Sequence, residues 1–359
     1  MYELNVAQLR RLNGPILVTG HTGFKGTWLT LLLEALGIEV VGLSLPPEKD
    51  SLYTQSNRSG NIVEEFLDIR DFERTYKFVR TIKPSAIFHL AAKPLVIDSY
   101  LEPRETFEVN VMGTVNLLDI AQRVDSVQAI VSASTDKVYR NKNDGRKFSE
   151  TDPLEGKDPY SASKVAAEAA LNAWHHFPAI QKDVNTNIVS VRAGNVIGGG
   201  DLSKNRLIPD LIRSVINGQQ TVIRNPTSTR PWQHVIDPLL GYVKLLETML
   251  SGASFRAMNF STGEPSLSVS EVAKIASNNW PKIDYVFGNE ISNPGLTESG
   301  SLELNSDFAK TSIGWEAFWT QEQAVITTIA WWKDVINSKA TPDEACLNDI
   351  NRVLAGLKS

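Results

Sequence analysis

The chain has 359 residues, 42% hydrophobic and 21% charged, enough to bury a large core and typical of about two domains. Its net charge of −5 supplies no basic field for nucleic acid or anionic lipid. The single cysteine, Cys346, excludes an intrachain disulfide and argues against a metal centre, and no apolar run reaches the roughly 20 residues that cross a bilayer. Met1 to Gly14 carries charges and lacks a signal-peptide core, so a cytoplasmic location away from any membrane is expected.

The first half alternates short apolar runs with helix-period segments. Strands are predicted over Pro15–Val18, Glu39–Leu45, Ile62–Leu67, Ala86–Leu90 and Ala129–Ser132. Thr27–Leu36 is apolar all round and reads as a buried helix ending at Gly37. Further helices are predicted over 71–82, 105–123 and 160–176, and beyond residue 190 over 206–217, 235–251, 268–278 and 320–336. This alternation predicts an α/β fold, a Rossmann-type doubly wound parallel sheet. We expect a nucleotide-binding domain over 1–190, with a segment near 220–250 returning to it. A smaller, partly interleaved C-terminal substrate domain covers mainly 191–359.

Thr19-Gly20-His21-Thr22-Gly23-Phe24-Lys25-Gly26 places three glycines between a strand and a helix. Small residues let backbone approach a pyrophosphate, and the helix N-terminus offers free N–H groups. Gly20, Thr22, Gly23, Phe24, Lys25 and Gly26 are therefore candidate cofactor residues. The second strand ends at Ser44, not in the acidic residue that grips the adenine ribose of NAD, nor in an Arg for NADP; the choice stays open at this position. Asp68 either reaches the adenine or caps helix 71–82. Ile69 beside it, and Leu90, Ala91 and Ala92 at the fourth strand end, complete the cofactor set.

Tyr160-Ser161-Ala162-Ser163-Lys164 puts Tyr160 and Lys164 on one helix face. A nearby ammonium and a cationic cofactor ring lower a phenol's pKa, making Tyr160 a base for a sugar hydroxyl. Thr135 sits upstream at a strand end, where it would hold the same oxygen. His175 and His176 end a helix and suit its negative pole, whereas Trp331 and Trp332 read as core.

These motifs together resemble the extended short-chain dehydrogenase/reductase superfamily, from about Ile16 to the Leu302-Glu303-Leu304 stretch and beyond. Within it, Thr135-Asp136-Lys137 resembles the sugar-nucleotide 4,6-dehydratases, and the Asp-Lys version is similar to those acting on CDP-glucose. The glycine turn, Val191–Asp201, Ile223-Arg224-Asn225-Pro226 and Arg230-Pro231-Trp232-Gln233-His234-Val235 carry the same resemblance. Departures are Lys93 where Gln is usual, Leu202 after Asp201, and the loop Arg140–Phe148.

The resemblance implies an NAD-dependent lyase with catalytic Thr135, Asp136, Lys137, Tyr160 and Lys164. In the expected cycle Asp136 acts as acid and Lys137 as base at carbon 5, both in their neutral forms; ionised, they would pair as a structural salt bridge. Substrate candidates are Lys93 and Asn110 near the sugar and Asn195, Arg206, Arg224, Arg230 and His234 near the diphosphate, since a guanidinium matches phosphate geometry. A nucleotide-sugar epimerase or reductase, or a dehydratase for another nucleotide sugar, is the rival. Surplus apolar residues on helices 105–123 and 160–176 match the four-helix dimer interface of related enzymes, implying a homodimer. Deoxysugar supply for surface polysaccharide is implied by analogy.

Overall fold

The computed structural model describes residues 4–176, 186–288 and 302–357. Its centre is a seven-stranded parallel sheet: β1 (Ile16–Thr19), β2 (Val40–Ser44), β3 (Val63–Phe66), β4 (Ala86–His89), β5 (Ala129–Ala133), β6 (Asn187–Ala193) and β7 (Ala257–Phe260), in the order β7-β6-β5-β4-β1-β2-β3. Strand order reverses between β1 and β4, where such sheets open a ligand crevice.

Alternation along the strands feeds two cores. Ile16, Val18, Phe88 and Val131 join one cluster with helices α1 (Phe24–Ala35), α5 (Ile236–Leu250) and α6 (Pro342–Leu357). Leu17, Ile87 and Ile130 face the other, beneath α2 (Phe72–Ile82), α3 (Gly113–Arg123) and α4 (Pro159–His175). Two-sided burial explains why these strands read as continuous apolar runs.

Four departures from expectation matter. The boundary expected near residue 190 falls inside β6, and β7 returns to the same sheet; β7 escaped notice because Asn259 breaks a four-residue apolar run. The helix expected over 105–123 is three pieces: Pro103–Phe107, a π-turn Glu108–Met112, and α3. Asp71 caps α2, its side chain accepting from Arg74 N, so the cap considered for Asp68 is corrected. Arg206 precedes its helix, Leu207–Asn217, as N-cap residue.

Beyond β6 the chain forms small strand pairs beside the sheet's carboxyl edge. Asn195–Ile197 runs parallel to Trp232–His234, and Thr221–Ile223 parallel to Tyr285–Phe287. Trp331 and Trp332 lie in the core as read. Among the described residues no helix is long and apolar enough to cross a membrane.

Candidate active site

The glycine turn is built for close backbone approach. Gly20 has φ +74°, and a Cβ there would stand 2.8 Å from Ala91 N; one on Gly26 would stand 2.1 Å from Gly20 O. Gly23 begins α1 without a side-chain cap, so the first amides of α1 stay free for an anion. A dinucleotide diphosphate fits this cradle. Leu90 N bonds Thr19 O and Ala91 N bonds Thr19 Oγ1, joining β4's end to the turn, with Ala92 beside them.

On the ribose side, Thr22 Oγ1 and Ser44 Oγ lie 2.8 Å apart, and Thr22 also donates to Leu45 O. Asp68 accepts from Arg70 N and Nε, both at 2.9 Å, which holds its carboxyl below the ordinary range despite partial burial. Ile69 packs against Gly113, where a Cβ would lie 2.3 Å from Ile69 Cδ1. Two buried histidines went unread. The His21 ring fills the space above Gly42 and meets Glu64 Oε2 at 2.9 Å.

His89 forms a relay whose proton positions are determined. Thr114 Oγ1 donates to Asn110 O, so it accepts from His89 Nε2–H at 3.0 Å. His89 Nδ1 then accepts from Thr19 Oγ1 at 2.8 Å, and Ala91 N donates to Thr19. Burial, and secondarily Lys164, lower its pKa to about 3, so it is neutral. A polar residue inside the apolar run Ala86–Leu90 was the available signal.

At the end of β5, Asp136–Val138 is a single 3-10 turn. Thr135 Oγ1 donates to Asp136 Oδ1 at 3.0 Å and accepts from Lys137 N at 3.3 Å, and the Thr135 side chain lies within hydrogen-bond reach of the Tyr160 phenol. Asp136 Oδ2 faces Gly194, 3.6 Å from where a Cβ would be. Asp136 and Lys137 form no ion pair with each other, so the structural salt bridge considered above is absent. Lys137 is half-buried.

Lys164 lies one turn after Tyr160 and donates to Ala133 O at 2.9 Å, tying α4 to β5. Burial lowers it to about 8, with Glu168 pulling the other way. Tyr160 behaves unlike the sequence expectation: burial pushes it up to about 12, opposed chiefly by the Thr135 bond. The Arg206 charge also works to lower it, while Lys164 is held by the Ala133 carbonyl. Lys25 extends from the glycine turn toward this cluster. Burial, then Arg206 and Lys164, lower it to about 8, and Asp136 works against them.

The substrate candidates divide. Arg206 stands in the site, its charge felt by Tyr160 and Lys25, and its Nη1 meets Asp201 Oδ2 at 3.2 Å. Arg230 is buried and donates to Thr229 O, while Pro231 packs over Gly194 beside Asp136. Asn195 is half-exposed on the adjoining strand, paired with Trp232.

Arg224 is exposed past Thr221–Ile223, with its charge falling on Asp210. His234 is fully buried between Trp28 and Trp319, at 5.6 and 4.5 Å between rings. Asn110, turned inward by the π-turn, accepts from Lys93 N and donates to Lys93 O and Ser163 Oγ. Its amide ties the backbone of Lys93 to Ser163 on α4. Lys93 itself pairs with Glu102 and Glu105, which raise its pKa against partial burial.

Residues 16–260 match the NAD dependent epimerase/dehydratase family. The chain belongs to that family. Among family members, the CDP-glucose 4,6-dehydratase of Salmonella typhimurium is 39% identical over 330 residues, covering 89% of this chain and 90% of that one. The UDP-glucose 4-epimerase of Rhizobium meliloti is 27% identical over 343 residues, covering 89% and 96%. The fold is shared with the dTDP-glucose 4,6-dehydratase DesIV of Streptomyces venezuelae, solved with NAD, at TM-score 0.74 and 22% identity over 89% of this chain and 97% of that one.

Proposed function

We propose that the chain is a CDP-glucose 4,6-dehydratase, a lyase converting CDP-glucose to CDP-4-keto-6-deoxyglucose and water. The observation that carries this is the Thr135-Asp136-Lys137 turn bonded to Tyr160, in a chain 39% identical to an enzyme of that name. An epimerase needs only the Tyr160 side of this arrangement.

NAD held by the turn Gly20–Gly26 would supply the hydride acceptor and donor for the redox steps at carbons 4 and 6. Thr135 holds the 4-oxygen while Tyr160 takes its proton. The resulting ketone acidifies carbon 5, whose proton Lys137 removes. Asp136 protonates the departing 6-oxygen; its Oδ1 is fixed as acceptor from Thr135, leaving Oδ2 to carry the proton. Arg206, Arg230 and Asn195 are read as the diphosphate side, and the turn Gly20–Gly26 with Ser44, Asp68 and Leu90–Ala92 as the NAD side.

A homodimer belongs to the same reading. An open apolar groove of about 450 Å³ beside the π-turn is lined by Pro103, Phe107, Val111 and Met112, and Met112 is half exposed. The enzyme is read as cytoplasmic, supplying deoxysugar for surface polysaccharide. Turnover of CDP-, dTDP- and UDP-glucose under identical conditions tests the assignment. The highest kcat/KM is expected with CDP-glucose; inversion of UDP-glucose at carbon 4 without water loss contradicts it.

A further inference from the structure

A buried guanidinium joins the catalytic helix to the acid–lysine turn. Arg192, on β6, is 4% exposed. Its Nε donates to Glu168 Oε1 at 2.8 Å, and Nη2 closes a bidentate fork on Oε2. Its Nη1 donates to the Tyr139 phenol oxygen at 2.8 Å and to Glu150 O at 3.1 Å. The Tyr139 hydroxyl donates onward to Asn259 Oδ1 at 2.7 Å. Asn259 Nδ2 is held in turn by the carbonyls of Phe148 and Asn305. The Tyr139 ring stacks on Phe148 at 5.1 Å and carries the guanidinium 4.9 Å from its centroid.

The two ends of this network are the two halves of the chemistry. Glu168 lies one helical turn beyond Lys164 and two beyond Tyr160 on α4. Tyr139 immediately follows the turn Asp136–Val138 and is its C-cap. A buried ion pair of this kind adds little net stability over apolar side chains of equal volume. What a fully satisfied polar network does add is a single geometry. Glu168 is also the group whose charge opposes the lowering of Lys164.

We propose that Arg192, through Glu168 and Tyr139, is a positioning residue that fixes Tyr160 and Lys164 relative to Asp136 and Lys137. Oxidation at carbon 4 and water loss across carbons 5 and 6 then act on one sugar held in one place. The proposal rests on the dehydratase reading above. Reaction geometry is steep in distance: a misplacement of about 1 Å costs on the order of a hundredfold.

Two variants of the NAD-loaded enzyme test it with CDP-glucose. Tyr139→Phe keeps the stacked ring and removes the hydroxyl; Arg192→Lys keeps the charge and removes the fork. Each is expected to slow water loss by about a hundredfold. Reduced nicotinamide should then build up on the protein, because oxidation outruns elimination, and near-ultraviolet circular dichroism should stay native. Wild-type turnover in both variants overturns the clamp, as does equal loss of oxidation and elimination. Wild-type protein that removes no water from CDP-glucose overturns the dehydratase reading and the clamp together.

Discussion

Thr135 gives its one hydroxyl proton to Asp136 Oδ1 at 3.0 Å, and the same side chain lies within reach of the Tyr160 phenol. In the proposed cycle the base for the first step and the acid for the second meet at this side chain. Thr135→Val keeps the shape and removes the link, and kcat should fall by about a hundredfold with NAD still bound. Thr135→Ser should recover most of the rate. Equal activity in both variants, measured by initial rates, contradicts the shared role.

His89 makes stability depend on pH in a defined direction. Its folded pKa of about 3 lies below the ordinary 6.5, so the unfolded chain takes the proton first as pH falls. The stability that His89 contributes is complete above pH 6.5 and is lost progressively down to about 3. His89→Leu removes that term. The gap between the two proteins in urea denaturation should shrink by about 2 kcal/mol between pH 7 and 5. A constant gap rules out a neutral His89.

Gly42 is required by its neighbour on β1's turn. A Cβ there would lie 2.5 Å from the His21 ring, which Glu64 holds on its far side. Gly42→Ala should cost about 1–3 kcal/mol and weaken NAD binding by displacing the turn. Calorimetric titration with NAD checks this; unchanged affinity and melting contradict it.

The groove at Phe107 and Met112 predicts assembly. Met112→Glu places a charge on an apolar contact and should shift the protein from dimer to monomer in light scattering, with the fold intact. A dimer that persists moves the interface elsewhere.

The sheet was legible because β1, β4 and β5 are buried on both faces and read as short apolar runs ending in small or polar residues. The glycine turn and the Tyr160–Lys164 spacing were legible for a similar reason: each is local, within one turn of backbone. What was not legible is contact between distant segments. The contacts of Asn110 with Lys93 and Ser163 come from a π-turn that the residue pattern does not announce. His234, next to the arginine motif in sequence, lies between two tryptophans from other helices and loops. The upward shift of Tyr160 comes first from burial, and Lys164 turns to Ala133 O; spacing encodes neither.

In the proposed reaction one hydride leaves carbon 4 and returns to carbon 6 of the same sugar while Asp136 and Lys137 remove water. CDP-glucose carrying deuterium at carbon 4, incubated with the purified protein, tests it directly by mass spectrometry and proton NMR of the product. The expected product has lost one water and carries the deuterium on carbon 6. Deuterium retained at carbon 4 of an inverted sugar, or released on free reduced cofactor with no water lost, would contradict it.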